Sequence, residues 1–210
     1  MPRLFTALKV PASISMQLSL LRGGLPGARW IDAENYHLTL RFFGDVDRHT
    51  AHEISHELGR TKQRAFDIRI QRLDIFGNAK PHSLFAAVAP SRELNELQAE
   101  HERVAKRLGL RPDKRKFTPH VTIARLKGTP DYMIADYLAA RGGFSSLPYE
   151  VDGFELLSSR DSIGGGPYIT EARYELLEAL EDDEDDIRPA GQGARGFGVL
   201  RAPAWYRPEG

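Results

Sequence analysis

The feature that most narrows what this chain can fold into is a four-residue word used twice. His37-Leu38-Thr39-Leu40 returns 83 positions later (120 − 37) as His120-Val121-Thr122-Ile123. Each copy reads His, aliphatic, Thr, aliphatic. This period suits a β-strand, in which successive side chains point to opposite faces. His37 and Thr39 then share one face, with Leu38 and Leu40 beneath them, and His120 and Thr122 stand likewise over Val121 and Ile123. Two such strands facing one another make a polar cleft holding two imidazoles and two hydroxyls.

The surroundings of the two words match as well. Leu4–Val10 predicts a buried strand, and Pro11 opens a helix to about Arg22 that Gly23-Gly24 stops. Ala28–Ile31 is a short extended piece, and Tyr36–Phe43 is the first motif strand. A helical period returns over Asp47–Gly59, with Ala51, Ile54 and Leu58 as its apolar face. Phe66–Leu73 alternates apolar and polar residues, as a half-solvated antiparallel strand does, and Leu84–Ala89 follows across a turn-rich Gly77–Pro81. Ser91 is a suitable cap for a helix to Leu108, with Gly109 just past its end. The second motif strand runs to Leu126, followed by a helix over Pro130–Ala140 and strands over Tyr149–Leu157 and Tyr168–Leu177. Strands outnumber helices, and the two words take comparable places in each half. The expected fold is α+β: two pseudo-symmetric lobes, each a mostly antiparallel sheet with helices on its outer face, and an active-site cleft between them.

Residues 1–177 form this expected domain, and 178–210 change character. The tail holds eight acids, from Glu178 to Asp186 and at Glu209, against four arginines, so of the 29 acids and 29 bases the body keeps 21 and 25. The zero net charge therefore hides a body of +4, suited to anionic ligands. The acidic run and the Gly-, Pro- and Arg-rich stretch after it predict a flexible tail, with Phe197, Val199, Leu200, Trp205 and Tyr206 as an apolar cluster able to dock on the body or on a partner. There is no cysteine, which excludes thiol catalysis, disulfides and thiolate metal sites. No apolar run reaches the roughly 18 residues of a membrane span, and no secretory signal is legible. A cytoplasmic monomer without membrane contact is expected.

Two histidines at one phosphate divide the work of a hydrolysis. With ordinary pKa values near 6.5, one is neutral and takes a proton from water while the other is protonated and gives one to the departing oxygen. Threonine hydroxyls donate to the non-bridging oxygens, and a cation offsets the growing charge. Arg125 is a candidate for that cation, although its odd spacing from Thr122 places it on the wrong face of a regular strand.

In these contexts the chain resembles the two-histidine phosphoesterase superfamily, and within it the RNA 2′,3′-cyclic phosphodiesterases historically called 2′-5′ RNA ligases. The resemblance rests on Arg3-Leu4-Phe5, Leu25–Trp30, Asn35–Gly44, Phe117–Arg125, Ser159-Arg160 and Gly166-Pro167-Tyr168, and so covers residues 3–177. It implies cofactor-free, metal-independent opening of an RNA-terminal 2′,3′-cyclic phosphate to a 2′-phosphomonoester, and reversible 2′-5′ ligation when both RNA ends are held. It further implies His37 as the acid toward the 3′ oxygen and His120 as the base toward water, with Thr39, Thr122 and Arg125 on the phosphate. RNA ends or small cyclic nucleotides are the expected substrates. The basic stretch Arg111–Lys116 is a candidate guide for the RNA backbone.

Two other readings compete. His52-Glu53-Ile54-Ser55-His56 fits the H-E-x-x-H zinc pattern. On a helix, however, His49, His52 and His56 centre nearly opposite Ala51, Ile54 and Leu58 and so face solvent, and no third ligand is evident. A non-catalytic RNA-binding module using the same cleft is the other alternative, and it would not need two proton-transfer groups. His82 and His101 read as a loop and a helix-surface residue. No phosphate-binding loop, dinucleotide glycine fingerprint or G-x-S-x-G elbow is present.

Overall fold

Burial along the two motif strands sets the architecture. The computed structural model describes residues 3–77, 80–159 and 166–179; the tail from residue 180, with its apolar cluster, and Arg160 lie outside the described residues. Strand β3 (His37–Asp45) and strand β7 (His120–Leu126) share one pattern over their first seven positions: partly open, buried, partly open, buried, buried, exposed, buried. Leu38, Leu40, Val121 and Ile123 are all in the core, beneath a face that carries His37, Thr39, His120 and Thr122.

Preceding β3 are β1 (Arg3–Lys9), helix α1 (Ala12–Ser19) and β2 (Ala28–Trp30). Following it are α2 (Arg48–Leu58), β4 (Phe66–Ile68) and β5 (Ile70–Phe76). The second half supplies β6 (Ser83–Val88), α3 (Arg92–Arg107), β7, α4 (Asp131–Arg141), β8 (Tyr149–Val151) and β9 (Gly153–Ser159), and β10 (Tyr168–Glu175) closes the series. The offset of 83 between the histidines holds for the starts and ends of α2 and α4, β4 and β8, and β5 and β9. Among the described residues, the chain is therefore two strand–helix–strand–helix–strand–strand repeats, with β2 and β10 added.

The repeats exchange elements. One sheet runs β10-β9-β1-β3-β7-β6-β5, so the last strand of each repeat pairs with the first strand of the other, β9 with β1 and β5 with β6. Both lobes thus contain pieces of both halves. Helices α2 and α3 cover the β10-β9-β1-β3 lobe: Tyr174 of β10 and Ser55 of α2 share a 3.0 Å hydrogen bond, and His101 of α3 lies on Phe154 of β9 with ring centres 4.5 Å apart. Helices α1 and α4 belong to the other lobe, where the Tyr137 hydroxyl donates to the Leu21 carbonyl at 2.6 Å. The lobes meet where β3 and β7 pair at Leu38 and Val121, and at the small β4–β8 ladder. That junction is dry, with Leu38 and Val121 almost fully buried.

Several elements differ from the sequence expectation. The helix after Pro11 ends at Ser19 rather than Arg22, before the positive-φ pair Gly23-Gly24. The runs Phe66–Leu73 and Tyr149–Leu157, each expected as one strand, are broken at Arg69 and at Asp152, again 83 apart. The piece before each break pairs across the lobe junction, while the piece after it joins the large sheet, and a single straight strand cannot serve both. The expected Ser91 cap forms, accepting from the Leu94 N–H at 3.1 Å, and Asp47 caps α2 in the same way, accepting from the Thr50 N–H at 2.9 Å. His101, expected on the helix surface, is fully buried. Among the described residues no helix is long and apolar enough to cross a membrane.

Candidate active site

Matching irregularities shape the two motif strands. Pairing of β1 with β3 passes from Thr6–Arg41 to Ala7–Thr39, skipping Leu40; pairing of β6 with β7 passes from Leu84–Ala124 to Phe85–Thr122, skipping Ile123. A bulge puts two residues of one strand opposite one of its partner and bends the strand. After it, Phe42 and Arg125 return to the face that holds the threonines, which removes the spacing objection to Arg125. Both line a cleft of about 660 Å³, together with His37, Thr39, His120 and Thr122. All five residues singled out from the sequence are thereby brought to one cavity. Stepping one residue either way from the antiparallel Leu38–Val121 pair sets His37 toward Thr122 and Thr39 toward His120.

The imidazoles are held alike. His37 Nδ1 donates to the Asn35 carbonyl and His120 Nδ1 to the Thr118 carbonyl, each at 2.7 Å. A carbonyl oxygen only accepts, so the proton sits on Nδ1 and each Nε2 is left to the cleft. Aromatic rings fix the remaining freedom. Tyr168 meets His37 edge-on at 5.0 Å, with Phe5 at 5.3 Å, while Phe76 meets His120 edge-on at 4.8 Å, with Phe85 at 5.3 Å.

Burial among these rings disfavours the charged imidazole. It pushes His37 down to about 4, opposed by the Asn35 carbonyl and reinforced by His120 and Arg125. His120 is lowered too, first by burial, with the Thr118 carbonyl opposing and Arg125 and Arg115 adding to the fall. The free site therefore holds two neutral imidazoles beside Arg125. Among the described residues the Arg125 guanidinium has no carboxylate partner and makes only a long hydrogen bond to Ser83 Oγ at 3.5 Å. A cation without a counter-ion beside two proton-accepting nitrogens suits an anion.

Other cleft residues were not singled out from the sequence as part of the site. Phe42, Phe76, Tyr168, His82, Gln98 and Arg41 all line it. Tyr168 lay within the matched Gly166-Pro167-Tyr168 segment, but Phe76 comes to His120 only through the β5–β6 pairing, which no local pattern signals. The histidines of the H-E-x-x-H segment, His52 and His56, are exposed along with His49, while Ala51, Ile54 and Leu58 are buried. Among the described residues no cluster of three histidines or carboxylates is placed to hold a metal ion.

Such a cleft, with paired His-x-Thr words on adjoining bulged strands, gathers two imidazoles, two hydroxyls and one guanidinium at a single place. The sequence model of the 2′-5′ RNA ligase superfamily matches residues 10–162, and the chain belongs to that family. It is 32% identical over 166 residues to an RNA 2′,3′-cyclic phosphodiesterase of Thermotoga maritima, an alignment covering 75% of this chain and 86% of that one. A protein of the same description from Aeropyrum pernix is 35% identical over 112 residues, covering 52% of this chain and 63% of that protein, somewhat under two thirds of its length. The crystal structure of E. coli LigT complexed with 3′-AMP superposes with a TM-score of 0.69 at 26% identity, covering 84% of this chain and 99% of that one.

Proposed function

We propose that this protein hydrolyses RNA-terminal 2′,3′-cyclic phosphodiesters to 2′-phosphomonoesters. The observation that carries the reading is the duplicated Nδ1–carbonyl hydrogen bond, which presents two Nε2 atoms to one cleft. The family and the names of the relatives supply the substrate class.

His120 is the base: its Nε2 takes a proton from water as the water oxygen bonds to phosphorus. His37 is the acid: its Nε2–H passes to O3′ as the P–O3′ bond breaks, leaving the phosphate on O2′. One proton enters the pair and one leaves it, so the pair ends each turnover with the proton exchanged between its members. Thr39 and Thr122 donate to the non-bridging oxygens, and Arg125 balances the charge that grows on them. The free site is short of protons, and the bound phosphodiester anion favours the imidazolium, so the substrate itself helps to charge the acid. With an RNA 5′-hydroxyl in place of water, the same steps form a 2′-5′ linkage.

The test is turnover of a short RNA ending in a 2′,3′-cyclic phosphate by the wild type, His37→Ala and His120→Ala. Loss of several orders of magnitude in both variants is expected, as for members of one catalytic unit. A variant that keeps wild-type turnover refutes the mechanism. RNA binding without turnover in the wild type would favour the binding-module reading instead.

A further inference from the structure

The reacting centre is nearly two-fold symmetric, whereas an RNA end is not, so charge beyond the two words has to orient the strand in the cleft. Two equivalent segments lead into the histidines, residues 28–35 and, 83 positions on, residues 111–118. The first is laid on β7 as β2, closed by Gly27 at φ +75°, where a Cβ would strike the Lys127 carbonyl oxygen at 2.3 Å. With Arg29, Asp32 and Glu34 it carries a net −1. The second has no strand pairing and carries Arg111, Lys114, Arg115 and Lys116 against Asp113, a net +3.

Side chains hold this second segment in place. Arg41, buried at the position equivalent to Ala124, pairs with Glu102 at 2.6 Å and donates to the Arg111 carbonyl. Glu102 also accepts from the Asp113 N–H at 3.1 Å, and Asp113 pairs with Arg115 at 3.0 Å. The loop is thus moored beside the cleft, with Arg115 and Lys116 on its lining. Within that wall Arg41 is balanced by Glu102 and Arg115 by Asp113. Lys116 is left with no carboxylate partner among the described residues.

We propose that the loop between α3 and β7 is a subsite for the sugar-phosphate backbone of single-stranded RNA upstream of the reacting end. Lys116 is its main phosphate contact and Arg115 the second. The enzyme then acts on the ends of RNA chains in preference to cyclic mononucleotides. This rests on the cyclic-phosphate reading above.

The experiment compares kcat/KM for 2′,3′-cyclic AMP and for a short RNA oligonucleotide ending in a 2′,3′-cyclic phosphate, across a NaCl series, in the wild type and in Lys116→Gln/Arg115→Gln. Both side chains are exposed, and the mooring of the loop through Arg41, Glu102 and the Asp113 N–H involves neither of them. The wild type should prefer the oligonucleotide, the double variant should lose about tenfold of that preference, and its log–log salt slope on the oligonucleotide should be shallower by about 0.7 per lost contact. A wild type without that preference, or a variant that loses equally on both substrates or on neither, overturns the inference and leaves the activity intact. A wild type that opens neither substrate overturns the activity reading itself.

Discussion

Raising the pH should switch this site off earlier than an ordinary histidine pair would allow. A phosphodiester stays monoanionic across the neutral range, so the pH dependence of kcat/KM reports the free protein. Catalysis by one acid and one base needs a single proton on the pair. The pair holds one between the ionisation of His37, pushed down to about 4, and that of His120, also lowered from its ordinary 6.5. Both shifts favour the neutral form, so the singly protonated state is lost upward through a value under 6.5. Above that value kcat/KM should fall about tenfold per pH unit, and so by about thirtyfold between pH 6.5 and 8.0. In the complex the bound anion raises both imidazoles, so the alkaline limb of kcat lies at higher pH than that of kcat/KM. Initial rates on a cyclic-phosphate RNA at constant ionic strength measure both profiles. A kcat/KM that is level or rising from pH 6.5 to 8.0 refutes the reasoning, because the imidazoles would then not be held short of protons.

Arg125→Gln removes a charge that lowers both imidazoles, so the alkaline limb should move to higher pH while kcat/KM at its optimum drops about a hundredfold, which the same profiles read. His101, buried against Thr6 and held down to about 3, binds no proton in the folded state until well below its unfolded value near 6.5. Stability through this group is full above pH 6.5 and lost as pH falls toward 3, about 2 kcal/mol by pH 5. In urea unfolding at pH 7.5 and 5, His101→Gln should escape about that much of the acid loss, and parallel acid losses would contradict it. Leu38→Ala, at the dry lobe junction, should cost about 3 kcal/mol and lower Tm by about 10 °C in calorimetry. Dialysis against EDTA, or His52→Ala with His56→Ala on the exposed side of α2, should leave turnover unchanged in the same assay.

The two motif strands were legible because one face had to be polar and the other aliphatic, and because the word occurs twice. The helix periods over Ala51, Ile54 and Leu58 and after Ser91 were legible for the same local reason. What the sequence did not show depends on partners distant along the chain. The bulges that skip Leu40 and Ile123 are set by the register against β1 and β6, so the return of Arg125 to the cleft had no local signal. The exchange of β5 and β9 between repeats is likewise a matter of pairing, and it broke two runs that the sequence offers as single strands. His101 sits among charged residues on α3 and reads as exposed, but its direction falls on the same stripe as Leu94, Leu97 and Val104. The Asn35 and Thr118 carbonyls, which fix both tautomers, are backbone groups that any residue type would supply.

The most direct measurement is the identity of the product. Phosphorus NMR of wild-type protein acting on an RNA with a 2′,3′-cyclic phosphate end should show conversion to the 2′-phosphomonoester alone. A 3′-phosphate product, a mixture of the two, or an unchanged cyclic phosphate would contradict a cleft that delivers a proton to O3′.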